Sequence, residues 1–432
     1  LINKNVYLKI NSKIIIELFL LIIGTIVFLF LNRNDLLLGQ IVFIISVVSN
    51  IQLMIKYRNN DILLIFLFFS FVHIVYIVAY YFFEIPYHYL TDNQTLFNTN
   101  TVFFIQILVL RLIFLGIDTR NFKSPKLCLP VKNNNLAYWI SILILVILIP
   151  LSNWGLTPLS VNSGGYSIET ESSIWSEYCI IFIIIAALHS NSSIKKRILI
   201  FISIFFMLMP LLYGKRLATI MVGLTVFNLF FSGYFSPRKI IYFFITSFIV
   251  TTLFDAVRMY GFSSQINFVY MMLGVNDASG ALSNGPGGVL VSCVTYFNLI
   301  QTGIFDLQFS IKSFIGMFTS IFLPASLNLP ETYINLEALK YDEIPGNGGF
   351  PGIYFYLWGR YIGVFIGSLL INFLFRNIHK SKYISIYVLF MLSTFPRWYT
   401  YNLHVLVKMG FWLLFFVLLS GYFKKNNFSK QT

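Results

Sequence analysis

Four arginines border or interrupt the long apolar runs of this chain. Arg216 lies in Tyr213-Gly214-Lys215-Arg216, a short connection between two apolar runs. Arg258 follows Asp255 at the end of another run, Arg360 lies inside a third, and Arg397 sits in Phe395-Pro396-Arg397-Trp398-Tyr399. A charged side chain at the centre of a bilayer costs about 2.5–3.5 kcal/mol on insertion scales and usually keeps a partner. A guanidinium stays charged, and its planar fork donates two parallel hydrogen bonds in the geometry phosphate accepts. Several arginines around one cavity would hold a pyrophosphate, with Lys215 adding a point charge beside Arg216. The plainer alternatives are snorkelling to the headgroup level and pairing with a carboxylate such as Asp255.

A second feature is Gly346-Asn347-Gly348-Gly349-Phe350-Pro351-Gly352. Gly346, Gly348 and Gly349 allow unusual backbone angles and close approach to a ligand. The segment then runs through Tyr354-Phe355-Tyr356-Leu357-Trp358 to Gly359, Gly363 and Gly367. On one continuous helix those three share a face, and close helix packing is the favoured reading for them. A glycosyl transfer also needs a base to take a hydroxyl proton. The candidates are Glu343, Asp342, Asp277, Glu169, Glu171 and His404. Glu343 and Asp342 lead directly into the glycine cluster. His404 shares a helix face with Arg397, seven residues earlier, unless 400–403 form a turn. Each carboxylate is otherwise a solvated loop charge, and His404 an interfacial histidine bonded to backbone. His73, His88, His189 and His379 are scattered without ligand spacing, so no metal is expected. Tyr87, Tyr89, Trp154, Tyr166, Trp175, Trp398, Tyr399 and Tyr401 suit sugar stacking and an interfacial aromatic belt equally.

The elements that must position these groups follow from composition. The chain has 432 residues, 57% hydrophobic and 11% charged, with 47 Phe; a soluble domain carries about 25% charged residues. That excludes an ordinary soluble enzyme and a disordered chain, and predicts an all-α, polytopic integral membrane protein. The net charge is +14, from 30 Lys and Arg against 16 Asp and Glu. The basic residues sit mostly in short loops between apolar runs, which reads as membrane topology rather than nucleic-acid binding. Cys128, Cys179 and Cys293 lie far apart, with no disulfide framework or cysteine zinc site expected. The first apolar run reads as a retained helix rather than a signal peptide.

Twelve spans are expected at roughly 14–31, 36–55, 62–83, 101–117, 136–151, 176–190, 198–213, 217–234, 240–257, 353–375, 383–400 and 403–423. Two weaker stretches, 288–304 and 313–329, raise the count to fourteen if both span. Every second connection is basic: Lys56 and Arg58; Arg120 to Lys132; Lys195 to Arg197; Arg238 and Lys239; Arg376 to Lys382. These connections and both termini are therefore expected in the cytoplasm. The alternate loops 84–100, 152–175 and 330–352 are acidic or nearly free of basic residues, and should face outward. Exactly one weak stretch spanning would break this alternation, so the count is twelve or fourteen. The chain is then a single transmembrane domain, 1–432, with its long outer region at 258–352. No G-x-x-x-x-G-K-[ST] loop is present, so its own ATP hydrolysis does not drive it.

With these residues in view, the chain resembles the O-antigen polymerases, the Wzy-type oligosaccharide repeat-unit polymerases of bacterial surface polysaccharide assembly. The layout is similar over nearly the whole chain. The specific likeness lies in Gly214-Lys215-Arg216-Leu217 and in Gly346 to Gly367; Arg360 falls outside the family pattern. The resemblance implies transfer of a growing glycan from undecaprenyl pyrophosphate onto the next lipid-linked repeat unit. The transfer would take place at the outer face of the bacterial inner membrane. Arginines would bind the donor pyrophosphate, and a carboxylate or His404 would activate the acceptor. It implies no metal or other cofactor, and as partners the undecaprenyl-pyrophosphate-linked oligosaccharide, membrane lipids and a chain-length regulator protein. The rival readings are an O-antigen ligase and a flippase or transporter of lipid-linked oligosaccharide.

Overall fold

In hydrocarbon a backbone must satisfy its own hydrogen bonds, so long apolar runs become helices. The computed structural model describes residues 12–32, 35–75, 77–83, 95–118, 129, 131–153, 175–212, 216–242, 245–246, 249, 275–276, 281–282, 286–322 and 348–422. The helices are α1 (Ser12–Leu31), α2 (Leu36–Lys56), α3 (Asp61–Val75), α4 (Val78–Phe83), α5 (Thr95–Ile113), α6 (Asn135–Asn153), α7 (Trp175–Leu188), α8 (Ser193–Leu212) and α9 (Arg216–Val226). A π-turn, Phe227–Phe231, prolongs α9. Then come α10 (Pro286–Gln301), α11 (Leu307–Thr319), α12 (Pro351–Arg376), α13 (Lys382–Trp398) and α14 (His404–Leu419). Residues 237–242 are also helical. Val275–Asn276 pairs antiparallel with Ala281–Leu282 in a minimal ladder.

Among the described residues, six helical stretches are long and apolar enough to cross a membrane. They are Ser12–Leu31, Leu36–Lys56, Asp61–Phe83, Leu96–Ile113, Asn135–Ser152 and Pro351–Arg376. The chain is thus an all-helical membrane protein. The first weak stretch is helical as α10, and the second is helical to Thr319 as α11, with 323–329 outside the described residues. The second starts earlier than its hydropathy suggests, because Asp306 caps it: the carboxylate accepts from Phe309 N at 2.7 Å. The expected span 62–83 is described as α3 and α4, with residue 76 outside the described residues, and α5 begins at Thr95 rather than 101.

Burial sorts the helices. Along α1 the side chains of Ile15, Phe19, Phe30 and most others are exposed, as on a lipid-facing periphery. In α7 every residue from Cys179 to Leu188 except the partly buried Phe182 is buried, and in α13 Val388 to Phe395 are. A helix apolar on every side is a central one, and these two form the middle of the bundle.

The connections at Lys132 and Lys195 and the end of α14 are tied to one another. Lys132 Nζ donates to Gly421 O and Tyr422 O, both at 3.0 Å. Asn134 Nδ2 donates to Ser420 O at 2.8 Å, and His189 Nε2 lies 3.0 Å from Ser420 Oγ. Tyr138 OH donates to Lys195 O at 2.7 Å. Nearby in the chain order, Asn372 Nδ2 donates to Ile113 O at 2.8 Å and Leu115 O at 2.7 Å, closing the frayed end of α5. Asn372→Leu should leave both carbonyls buried without their donor and lower stability by about 2 kcal/mol. Thermal unfolding in detergent would measure it; an unchanged transition would show that the two bonds carry no weight.

The expected continuous span 353–375 is instead broken. Gly359 (φ −161°, ψ 23°) and Arg360 (φ 52°, ψ −144°) leave the helical region inside α12. Gly359 is in extended φ that any residue adopts. Arg360 is the residue at positive φ, in a region where a side chain costs about 1–3 kcal/mol. The first half of α12 turns back on the second. A Cβ on Gly363 would stand 2.2 Å from Phe355 O, and one on Gly367 2.5 Å from the Phe355 ring. The three glycines therefore do not form one face of a continuous helix. Two of them admit the other half of their own helix, and Gly359, with nothing within 4 Å, marks the break.

Candidate functional site

The glycine strand, the end of α13 and the start of α14 meet at one place. α13 stops at Trp398 because the chain turns: Tyr401 N and Asn402 N both donate to Arg397 O at 2.8 Å. Residues 399–403 are thus the turn foreseen as the alternative to a continuous helix, and His404 opens α14 rather than sharing a face with Arg397. Asn402 Oδ1 accepts from His404 N at 2.9 Å, fastening that opening.

Gly348 and Gly349 pack against this turn. Gly348 has φ 109°, and a Cβ there would meet Tyr401 Cα at 2.5 Å. Gly349 N donates to Tyr401 O at 3.2 Å, and Tyr354 OH donates to the same carbonyl at 3.1 Å. Phe350 N donates to Cys293 Sγ at 3.2 Å, which ties the strand to α10. The close approach these glycines permit is to the chain's own backbone. His404 is buried, its ring 6.1 Å from that of Tyr354.

Arg397 faces this junction from the last turn of α13. Its Nε lies 3.4 Å from Glu177 Oε2, in the first turn of α7, and its Cζ lies 5.9 Å from the centre of the Tyr401 ring. Both charged side chains are mostly buried, 22% and 15% exposed. Sequence reasoning named Asp255 as a plausible arginine partner and missed Glu177. A carboxylate in the first turn of a helix reads as a dipole cap, and it lies 220 residues from Arg397, so no local signal links the two.

The junction packs on α3. Tyr399 OH lies 3.0 Å from Ser70 Oγ, its ring packs on Phe66, and Thr400 Oγ1 lies 3.3 Å from His73 Nε2. On the α12 side a Cβ at Gly352 would touch Ile105 and Val109 of α5. The sequence places Arg397 near the end of its span, and in the fold it stands in the last turn of α13.

Two further predicted arginines belong to other helices. Arg360 is exposed at the break in α12, its Cζ 5.5 Å from the centre of the Tyr356 ring. Arg216 is the first residue of α9. The side chain of Arg216 lies outside the described residues, as do Lys215, Arg258, Asp342, Glu343 and Gly346 entire, and with them Glu169, Glu171 and Asp277. Of the predicted set, the structure brings together Arg397, His404, Gly348 and Gly349, and adds Glu177, Tyr354 and Tyr401.

Chemically, such a junction offers a guanidinium beside a carboxylate, two phenol rings and a buried imidazole. Compared with models of protein families, with curated proteins and with solved structures, the chain matches none of them.

Proposed function

We propose that the chain is a membrane glycosyl-transfer polymerase that joins undecaprenyl-pyrophosphate-linked oligosaccharide repeat units. In this reading the basic connections and both termini face the cytoplasm, and twelve to fourteen helices cross the bacterial inner membrane. The observation that carries the reading is the partly buried Arg397–Glu177 pair, set beside the turn at Tyr401 on which Gly348 and Gly349 pack. An arginine there suits a pyrophosphate whose lipid tail stays in the bilayer.

Arg397 takes the donor pyrophosphate and stabilises the charge that develops as it leaves. The acceptor hydroxyl loses its proton to a base drawn from His404, Glu343, Asp342 and Glu177. The acceptor oxygen forms the new bond to the anomeric carbon, and the bond to the pyrophosphate oxygen breaks with its electron pair. Arg216, Arg258 and Lys215 complete the anion site. No metal or other cofactor enters, and the partners are the lipid-linked glycan, bilayer lipids and a chain-length regulator.

The test is incubation of the purified protein in liposomes with the cognate lipid-linked repeat unit, with products resolved by length. A ladder is expected. Its absence from folded protein would sink the polymerase reading.

A second reading has its own support. A helix interrupted beside a charged residue is a transporter device, and α12 breaks at Arg360. It makes the chain a flippase for the same lipid-linked sugars. Translocation of a fluorescent lipid-linked sugar between leaflets, without chain growth, would favour it.

A further inference from the structure

Arg360 stands apart from the Arg397 junction, and its surroundings point to a different ligand. The half of α12 that follows it, 361–376, is sixteen residues long, or about 24 Å. Along it Ile362, Ile366, Leu370 and Phe373 are 73%, 57%, 60% and 57% exposed. They fall at helical spacing on one face, and an exposed face of this composition is a lipid-facing one. Arg376, Lys380 and Lys382 mark the far end of this half-helix, at one headgroup level. Arg360 caps the near end, so the length of the half-helix sets it close to the opposite headgroup level of a bilayer whose hydrocarbon core is about 30 Å thick.

The side chain is exposed, and its contact among the described residues is the face of Tyr356. Tyr356 is held in turn, its OH accepting from Gln301 Nε2 at 3.2 Å. A guanidinium on a ring face keeps its N–H edges free for a bidentate acceptor. Two features argue against simple snorkelling. A charge that only needs water could stand on any ordinary loop residue, whereas Arg360 occupies the strained position of the break. The neighbouring glycine, Gly359, takes the conformation that needs no glycine. The break is also built in, since Gly363 and Gly367 are the residues that let Phe355 fold back over the helix. Strain of this kind, sustained by its surroundings, is a mark of a functional position.

We propose that Arg360, seated on Tyr356, is a binding site for a phosphate carried by a bilayer lipid, reached from the lipid side and separate from the Arg397 junction. The phosphate belongs either to a bulk anionic phospholipid or to a polyprenyl carrier. The site does not depend on glycosyl transfer, because it is read without turnover.

The full-length protein would be placed in phosphatidylcholine nanodiscs holding no addition, phosphatidylglycerol, or undecaprenyl phosphate, and retained lipid counted by native mass spectrometry. Wild type is expected to retain a phosphate lipid over phosphatidylcholine, and the arm in which it does so identifies the source. Arg360→Ala should lower that retention about tenfold, and Arg360→Lys less, since lysine keeps the charge without the fork. Arg360→Gly relaxes the backbone, so it should melt no lower than wild type while losing the lipid to the same extent as Arg360→Ala. Equal retention by wild type and Arg360→Gly would overturn the proposal. So would a wild type that prefers neither phosphate lipid to phosphatidylcholine.

Discussion

Arg397→Ala is expected to abolish chain extension, with a loss of about a hundredfold or more in rate. Removing one donor aimed at developing charge in a shielded site typically has an effect of that order. The same change strips Glu177 of a cationic partner 3.4 Å away, and breaking a partly buried pair by removing one member destabilises by about 1–3 kcal/mol. Loss of activity alone would therefore not separate ligand binding from structural support. A charge swap does. Arg397→Glu combined with Glu177→Arg restores a pair across α13 and α7 but moves the cation to the wrong helix. The double variant is expected to melt closer to wild type than Arg397→Ala does, and to stay inactive. Activity recovered by the swap would show the pair to be structural support and would remove Arg397 from the anion site.

Gly363→Ala should destabilise the protein by about 3 kcal/mol, or prevent recovery of monodisperse protein. Its Cβ would stand 2.2 Å from Phe355 O, a backbone atom that cannot move aside without dismantling the turn in α12. Gly367→Ala meets the Phe355 ring, which can rotate, so a smaller loss of about 1–2 kcal/mol is expected. Gly359→Ala has no neighbour within 4 Å and needs no special backbone angle, so its change should stay within about 0.5 kcal/mol. Melting temperatures of the three variants in one detergent would rank them. Equal losses would mean that the glycines line one face of an unbroken helix after all.

These three glycines show how far the sequence carries. Their spacing of four implies close packing, and Gly363 and Gly367 do pack closely. What they pack against is invisible locally, because a straight helix and a folded-back one share the same periodicity. The arginine turn behaves in the same way. Arg397 stands out in an apolar run, and Pro396 beside it marks an unusual helix end. Its partner Glu177 sits two residues beyond the acidic loop 152–175, at the head of a helix that is buried from Cys179 to Leu188 apart from the partly buried Phe182. His404 could be placed near Arg397 by spacing, yet the turn 399–403 resets the helix, and a backbone hydrogen-bond pattern decides that rather than hydropathy.

By itself the sequence determined the helical membrane class, the positions of most helices and the segregation of basic connections. It also marked Arg360, Arg397 and the glycine strand as exceptional. These are consequences of local windows: an apolar run of about twenty residues must close its own hydrogen bonds wherever it lies. Only the tertiary structure decided that Arg397 pairs with Glu177, that Gly348 packs on Tyr401, and that α12 breaks at Arg360. The first two depend on contacts between residues tens to hundreds of positions apart, and the third on whether Phe355 packs back on Gly363 and Gly367, which close packing decides and hydropathy does not.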